Sequence, residues 1–319
     1  MKRWNLRGLA VVGFAHGASD FYSGMVPLLI FAVVTAHGLS PVYQGAIGFL
    51  WYLTSSIVQP LFGMYSDARG RWWFLPSAVA LTVTAVSFAG TASGMYALAA
   101  FVILGGLGSA VMHPEAGKYA AMLSGERTSG GISIFQIGGA LGYSLGPAIV
   151  GKLLADHGTR GSLWMLVPGV VAVAAIAVAM PRVHRAARRA HTAAGSQGDA
   201  RVDRTGVALL VGSTALRYLV GAAFMTYLPN LIVARGGTIV EAGIIVTLYL
   251  AVGVVGLYAG GWLGDRFGAL GVSIGSLLAA VPCLFAFFLS HSLYATGFLF
   301  LSNILLNVQS APSVAIVAR

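Results

Sequence analysis

The sequence predicts an all-α polytopic membrane protein made of two copies of one helical module, with the second copy shorter than the first. Three observations carry this prediction. Only 9% of the 319 residues are charged, 57% are apolar and mean hydropathy is +0.83, whereas soluble domains carry about 25% charged residues. Ten apolar runs are each long enough to cross a bilayer, which takes about 20 residues per helix. Finally, Gly63-x-x-x-Asp67-x-x-Gly70 recurs as Gly261-x-x-x-Asp265-x-x-Gly268 at an offset of 198 residues, which Gly45/Gly243 and Pro114/Pro312 also keep. A fixed offset without insertion is the mark of a duplicated module, and its length excludes short solenoid repeats.

The first run, residues 10–34, follows Lys2, Arg3 and Arg7. It carries Asp20, is too long for a signal peptide and leads directly into further runs, so it reads as a retained first helix. His16 and Asp20 stand i,i+4 and continue through Ser23 and Gly24 to Pro27, a polar, small-residue face suited to a cavity wall. Asp20 lies about 15 Å into this helix, near mid-depth.

Runs 43–63 and 73–93 flank the first copy of the glycine–aspartate motif. Its glycines permit a tight turn, and Asp67 is placed to cap the next helix or pair with an Arg across the bundle. Gly63, Asp67, Arg69 and Gly70, with Gly261, Asp265, Arg266 and Gly268 in the second copy, are the candidate gating residues. Run 95–120 carries Gly105 and Ser109 above His113-Pro114-Glu115. Pro114 predicts a bend and local unwinding, and Glu115 stands i,i+3 from Lys118, the spacing of an interfacial ion pair. In run 131–154, Gly138, Gly142 and Gly146 form one stripe where two helices can touch backbone to backbone, ending in the kink residue Pro147. Run 161–180 closes the first half.

Residues 182–205 form a basic, polar linker opened by Arg182, Arg185, Arg188 and Arg189, so the chain divides into a six-helix half at 1–181, the linker, and a second half at 206–319. Runs 206–233, 242–263, 270–289 and 293–317 make about four helices of that half, and the repeat arithmetic predicts two more beyond Arg319. Arg217, deep in the first of these, either neutralises a buried carboxylate or receives an anionic substrate. Cys283, the single cysteine, allows no intrachain disulfide and no thiolate metal cluster.

The net charge of +10 sorts by side: most basic residues fall on the loops shared with the N-terminus, whereas Lys152, Arg160 and Arg235 fall opposite. The positive-inside rule makes the N-terminus cytoplasmic, so the basic excess is topological and nucleic acid is not an expected partner. Two enzyme-like strings fail on context. Gly142-Tyr143-Ser144-Leu145-Gly146 lies inside an apolar run and not at a strand-to-helix turn. Gly146 through Lys152 lacks the Ser or Thr that follows the lysine of a phosphate loop.

Ionisable residues within spans are costly unless paired or facing water, which makes them functional candidates. Asp20, His16, His113 and Glu115 are therefore the candidate proton-coupling set, against a structural pairing of Asp20 or Glu115. Gln136, Tyr143 and Arg217 are the candidate substrate contacts.

The segment from His113-Pro114-Glu115 through Ser133-Ile-Phe135-Gln136 to Gly146-Pro147, with His16-x-x-x-Asp20 upstream, closely resembles the fosmidomycin-resistance branch of the major facilitator superfamily. The likeness is strong in the first half; in the second it rests on the repeated motif and the span pattern. It implies a twelve-helix, proton-driven exporter of the bacterial inner membrane, and it reaches Asp20, His113, Glu115 and Gln136 residue by residue. Ala68 stands where the superfamily carries a basic residue, with Arg69 as the candidate substitute. The expected partners are a small-molecule substrate, protons and the lipid bilayer, with the chain acting as a monomer. No ATP-binding motif is present, so an ion gradient is the expected driving force, and neither a cofactor nor a resident metal is expected. The alternatives are a proton symporter importing a metabolite and, in a different class, a membrane-embedded enzyme or metal-binding protein using His16, Asp20, His113 and Glu115. The last lacks any His-Glu-x-x-His spacing.

Overall fold

Apolar runs in a bilayer must satisfy their backbone polar groups internally, and helices do so within one segment. The structure, a computed structural model, describes residues 5–125, 128–194, 204–290 and 295–308, and among them every regular element is helical. In order these are α1 (Leu6–Ala36), α2 (Pro41–Tyr52), a π turn (Leu53–Ile57), α3 (Gln59–Arg69), α4 (Phe74–Ala89), α5 (Met95–Ser124) and α6 (Thr128–His157). A 3₁₀ turn (Thr159–Met165), α7 (Leu166–Ala194), α8 (Arg204–Ala234), α9 (Ile239–Phe267), α10 (Ala269–Leu289) and α11 (Thr296–Val308) follow.

Among the described residues, seven helical stretches have the length and hydropathy to cross a membrane, and three shorter apolar helices, Phe74–Ala89, Tyr218–Ala234 and Thr296–Val308, fall on the remaining predicted spans. The duplication reappears in the helix bounds: α1 and α8 begin and end 198 residues apart, and so do the α2–α3 segment and α9. The chain divides into two compact units, Met1–Gln197 and Gly198–Arg319.

Local chemistry sets the ends. Asn5 Oδ1 accepts from the Gly8 N–H at 2.9 Å at the start of α1, and Ser40 with Pro41 opens α2. Thr238 and Glu241 form a reciprocal capping box on α9. That helix stops at Gly268, whose φ of 92° suits glycine.

In the first unit α1 is the buried centre, packed against α4, α5, α6 and α7. The predicted glycine stripe makes its tightest contact: a Cβ on Gly138 would strike the Gly13 carbonyl, and one on Gly142 the Gly17 carbonyl. Helices in lipid gain little from burying apolar surface, so such backbone contact, with its dispersion and close fit, is what holds them. Outward-facing aliphatics such as Val167, Val170, Val171 and Val178 on α7 remain exposed, as a lipid-facing surface requires.

Three local expectations are corrected. The glycine–aspartate motifs are not loops: Gly63–Arg69 ends α3 and Gly261–Phe267 ends α9, and only the last glycine of each leaves the helix. Pro114 does not unwind its surroundings, since α5 runs through it from Met95 to Ser124. The basic segment after residue 181 begins as helix, because α7 continues to Ala194.

Candidate functional site

The i,i+4 spacing of His16 and Asp20 puts both on one face of α1, and α5 brings His113 to the same point. His16 Nε2 lies 3.1 Å from Asp20 Oδ2. His113 Nε2 lies 3.3 Å from Asp20 Oδ1, so each carboxylate oxygen faces one imidazole.

Both rings are held from behind. His16 Nδ1 is 2.8 Å from the Phe135 carbonyl, and His113 Nδ1 is 2.8 Å from the Ser109 carbonyl. A carbonyl only accepts, so each Nδ1 carries hydrogen and each Nε2 presents to Asp20 a lone pair or a second proton. A lone pair facing a carboxylate repels it, and the contact becomes attractive once a proton sits between. The Phe135 ring stacks on His16 at 4.0 Å between centroids, while His113 meets His16 edge-on at 5.1 Å. Gly139 supplies the room, since a Cβ there would overlap the His16 ring. His16 is buried, and the Asp20 and His113 side chains are 14% and 28% exposed, so one side of the cluster is reachable.

A second cluster lies two residues further along α5. Glu115 is fully buried; its Oε2 accepts from the Ser66 hydroxyl and lies 2.9 Å from Lys118 Nζ. Its Oε1 has no hydrogen-bond partner among the described residues. Lys118 Nζ also donates to the Ser66 carbonyl at 3.1 Å, which ties the end of α3 to α5. Asp67 stands 3.7 Å from Lys118 with its side chain 74% exposed. Among the described residues this contact with a lysine is a weak one, and Ser66 makes the firmer link. Gly63 faces Pro114, and Gly70 caps α3.

The remaining candidates are spread out. Gln136 is exposed on α6, one residue from the Phe135 carbonyl that holds His16. Tyr143 is half-buried, its backbone against Gly24. Arg266 is exposed over the Trp262 and Phe267 rings. Arg217 lies on α8 and Asp265 and Gly261 on α9, but the side chains of the first two, and of Arg69, fall outside the described residues. Sequence reasoning missed Ser66, which no charge or spacing singled out, and the roles of Phe135 and Ser109, which act on the histidines through their carbonyls.

A duplicated, helical chain in which a carboxylate and two imidazoles meet between apolar helices fits a membrane transporter built from repeated modules. The chain belongs to the Major Facilitator Superfamily, whose family profile matches residues 9–319. It is 26% identical over 323 aligned residues to the MFS-type transporter YfnC of Bacillus subtilis (strain 168), covering 97% of this chain and 77% of that protein. It is 27% identical over 301 residues to the fosmidomycin resistance protein of Escherichia coli (strain K12), covering 91% of this chain and 73% of that protein. Among solved structures, a bacterial homologue of the human lysosomal transporter Spinster, inward-facing and unoccupied, superposes with a TM-score of 0.77 at 17% identity. That match covers 99% of this chain and 75% of the other, and it establishes the fold alone.

Proposed function

We propose that this transporter exports a small drug-like or anionic compound in exchange for protons. It works as a monomer in the bacterial inner membrane with its N-terminus in the cytoplasm. The observation that carries the reading is Asp20 between the Nε2 atoms of His16 and His113, both rings anchored through Nδ1. A carboxylate kept near mid-membrane is costly unless it is used, and alternate exposure of one protonatable group to the two sides couples its proton to substrate movement. Support for export comes from the fosmidomycin resistance protein among the relatives, and for the orientation from the distribution of Lys and Arg. Glu115, joined to α3 through Ser66, is the second coupling group in this scheme, and the two glycine–aspartate motifs act as gates. Gln136, Tyr143 and Arg217 are the proposed substrate contacts, and residues 182–205 the link between the proposed halves, 1–181 and 206–319.

The test is fosmidomycin susceptibility of cells expressing the chain, with unrelated compounds alongside, paired with substrate-induced proton movement in inverted membrane vesicles. Asp20→Asn is expected to accumulate normally in the membrane while losing proton-driven export. Export at the wild-type rate in that variant sinks the assignment.

A further inference from the structure

The same three side chains meet the requirements of a metal ligand set. We propose that His16, Asp20 and His113 form a binding site for a divalent transition-metal cation with Zn²⁺ as its first choice.

The donor atoms converge. One carboxylate and two imidazole Nε2 atoms all lie within 4.8 Å of one another, and the two N···O separations are 3.1 and 3.3 Å. A tetrahedral Zn²⁺ with bonds of about 2.0–2.1 Å holds its ligands about 3.3–3.4 Å apart, and the two contacts are of that size, each made to a different oxygen of Asp20. To share one cation the Asp20 carboxylate turns one oxygen toward both nitrogens and the less buried His113 ring closes on it, which brings together atoms already within 4.8 Å of one another. The rings are also prepared as ligands. A metal-bound histidine characteristically donates its other ring N–H to a carbonyl or carboxylate, which fixes its tautomer and orientation. His16 does this to Phe135 and His113 to Ser109, each at 2.8 Å. Gly139 leaves the space that a His16 ring in this position needs.

Two imidazoles and one carboxylate are borderline to hard donors, which suits Zn²⁺, Co²⁺ or Fe²⁺ over Ca²⁺ or Mg²⁺. Three protein ligands leave a fourth position for water or an anionic group. The two histidines come from different helices, so the cation would clasp α1 to α5. This assignment rests on donor geometry and stands whether or not protons drive transport.

The test uses the full chain, purified in detergent without a polyhistidine tag and dialysed to equilibrium against ZnCl₂, with bound metal measured per chain. About one Zn²⁺ per chain is expected, with Co²⁺ taking its place and giving the intense visible bands of a four-coordinate site. His113→Gln, His16→Gln and Asp20→Asn are each expected to weaken binding by at least about tenfold, the loss that even second-layer changes at such sites produce. His37→Gln and His157→Gln, remote from the cluster, are expected to bind as wild type does. Wild-type protein that takes up no Zn²⁺, or Zn²⁺ uptake unchanged in His113→Gln and Asp20→Asn, overturns the site. Where a variant does not elute as a single species, the wild-type Co²⁺ spectrum decides, and the absence of four-coordinate bands overturns it equally. No gradient or substrate is present, so failure here leaves the export reading intact. Export at the wild-type rate in Asp20→Asn vesicles, which sinks the export reading, likewise leaves this one intact.

Discussion

The α2–α3 segment and α9 occupy equivalent places in the two copies and share their bounds at the 198-residue offset, yet one is broken and the other is not. In the first copy the helix opens into a π turn at Leu53–Ile57, where Thr54 Oγ1 donates to the Leu50 carbonyl at 2.7 Å and Gln59 Nε2 to the Ser55 carbonyl at 2.6 Å. Pro60 follows, with no N–H to give. At the equivalent positions the second copy has Val252, Leu257 and Tyr258, which offer neither a donor nearby nor a missing N–H, and α9 runs through unbroken. A π turn leaves carbonyls that need new donors, so the side chains that supply them separate the two outcomes. The polar chemistry is divided in the same way. Asp20, His16, Ser66, Glu115 and Lys118 correspond to Tyr218, Thr214, Gly264, Ser313 and Ile316. The scaffold is shared, whereas the His16–Asp20 and Glu115–Lys118 pairs have no charged counterparts at the matching positions of the second copy.

The sharpest way to break this asymmetry is to remove charge from the first copy. Lys118→Met takes the cation away from the fully buried Glu115, whose Oε2 keeps the Ser66 hydroxyl, and breaking a buried pair from one side costs about 3–5 kcal/mol. The expected result is the largest fall in Tm of this set, measured on purified protein, with much of it restored in the Glu115→Gln/Lys118→Met double variant. A double variant no more stable than the single one contradicts the pairing. The next largest effect is expected from moving the break. Tyr258 is 85% exposed, so Tyr258→Pro acts through the backbone of α9 and should cost about 3 kcal/mol, whereas Thr54→Val in the first copy removes one hydroxyl and should cost about 1 kcal/mol. Equal Tm changes would refute the account of why one helix is interrupted. The smallest expected effect concerns packing. A Cβ at Gly256 would strike the Ile304 carbonyl of α11, so Gly256→Val should cost about 1–3 kcal/mol, while the reverse change at its counterpart, Val58→Gly, costs about 1 kcal/mol or less. Unchanged Tm in Gly256→Val removes α9–α11 backbone contact as the reason for that glycine.

The duplication, the ten runs and the shared face of His16 and Asp20 were legible because each follows from composition or from the period of a helix. The α6 glycine stripe was legible as a packing surface, though not its partner α1. The meeting of His113 with Asp20 was not legible, because it depends on how α5 lies against α1, and no local period encodes a contact across intervening helices. The anchors of the two imidazoles were hidden for another reason: Phe135 and Ser109 act through carbonyls, which every residue possesses. Pro114 misled because a proline was read as unwinding its surroundings, whereas α5 passes through it as continuous helix. The charged motif drew attention to Asp67, although its neighbour Ser66 makes the buried contact.

The backbone contact of Gly13 and Gly17 with Gly138 and Gly142 has a mechanical consequence. With no side chain between them, α1 and α6 have no slack along which to slip, so they travel as one beam, carrying His16 together with the carbonyl that steadies it. His113 rides on α5, outside that beam. Any shear of α5 along α1 is therefore felt first as a change in the 3.3 Å gap between His113 and Asp20, which makes that gap a gauge of helix displacement read out at a single carboxylate oxygen.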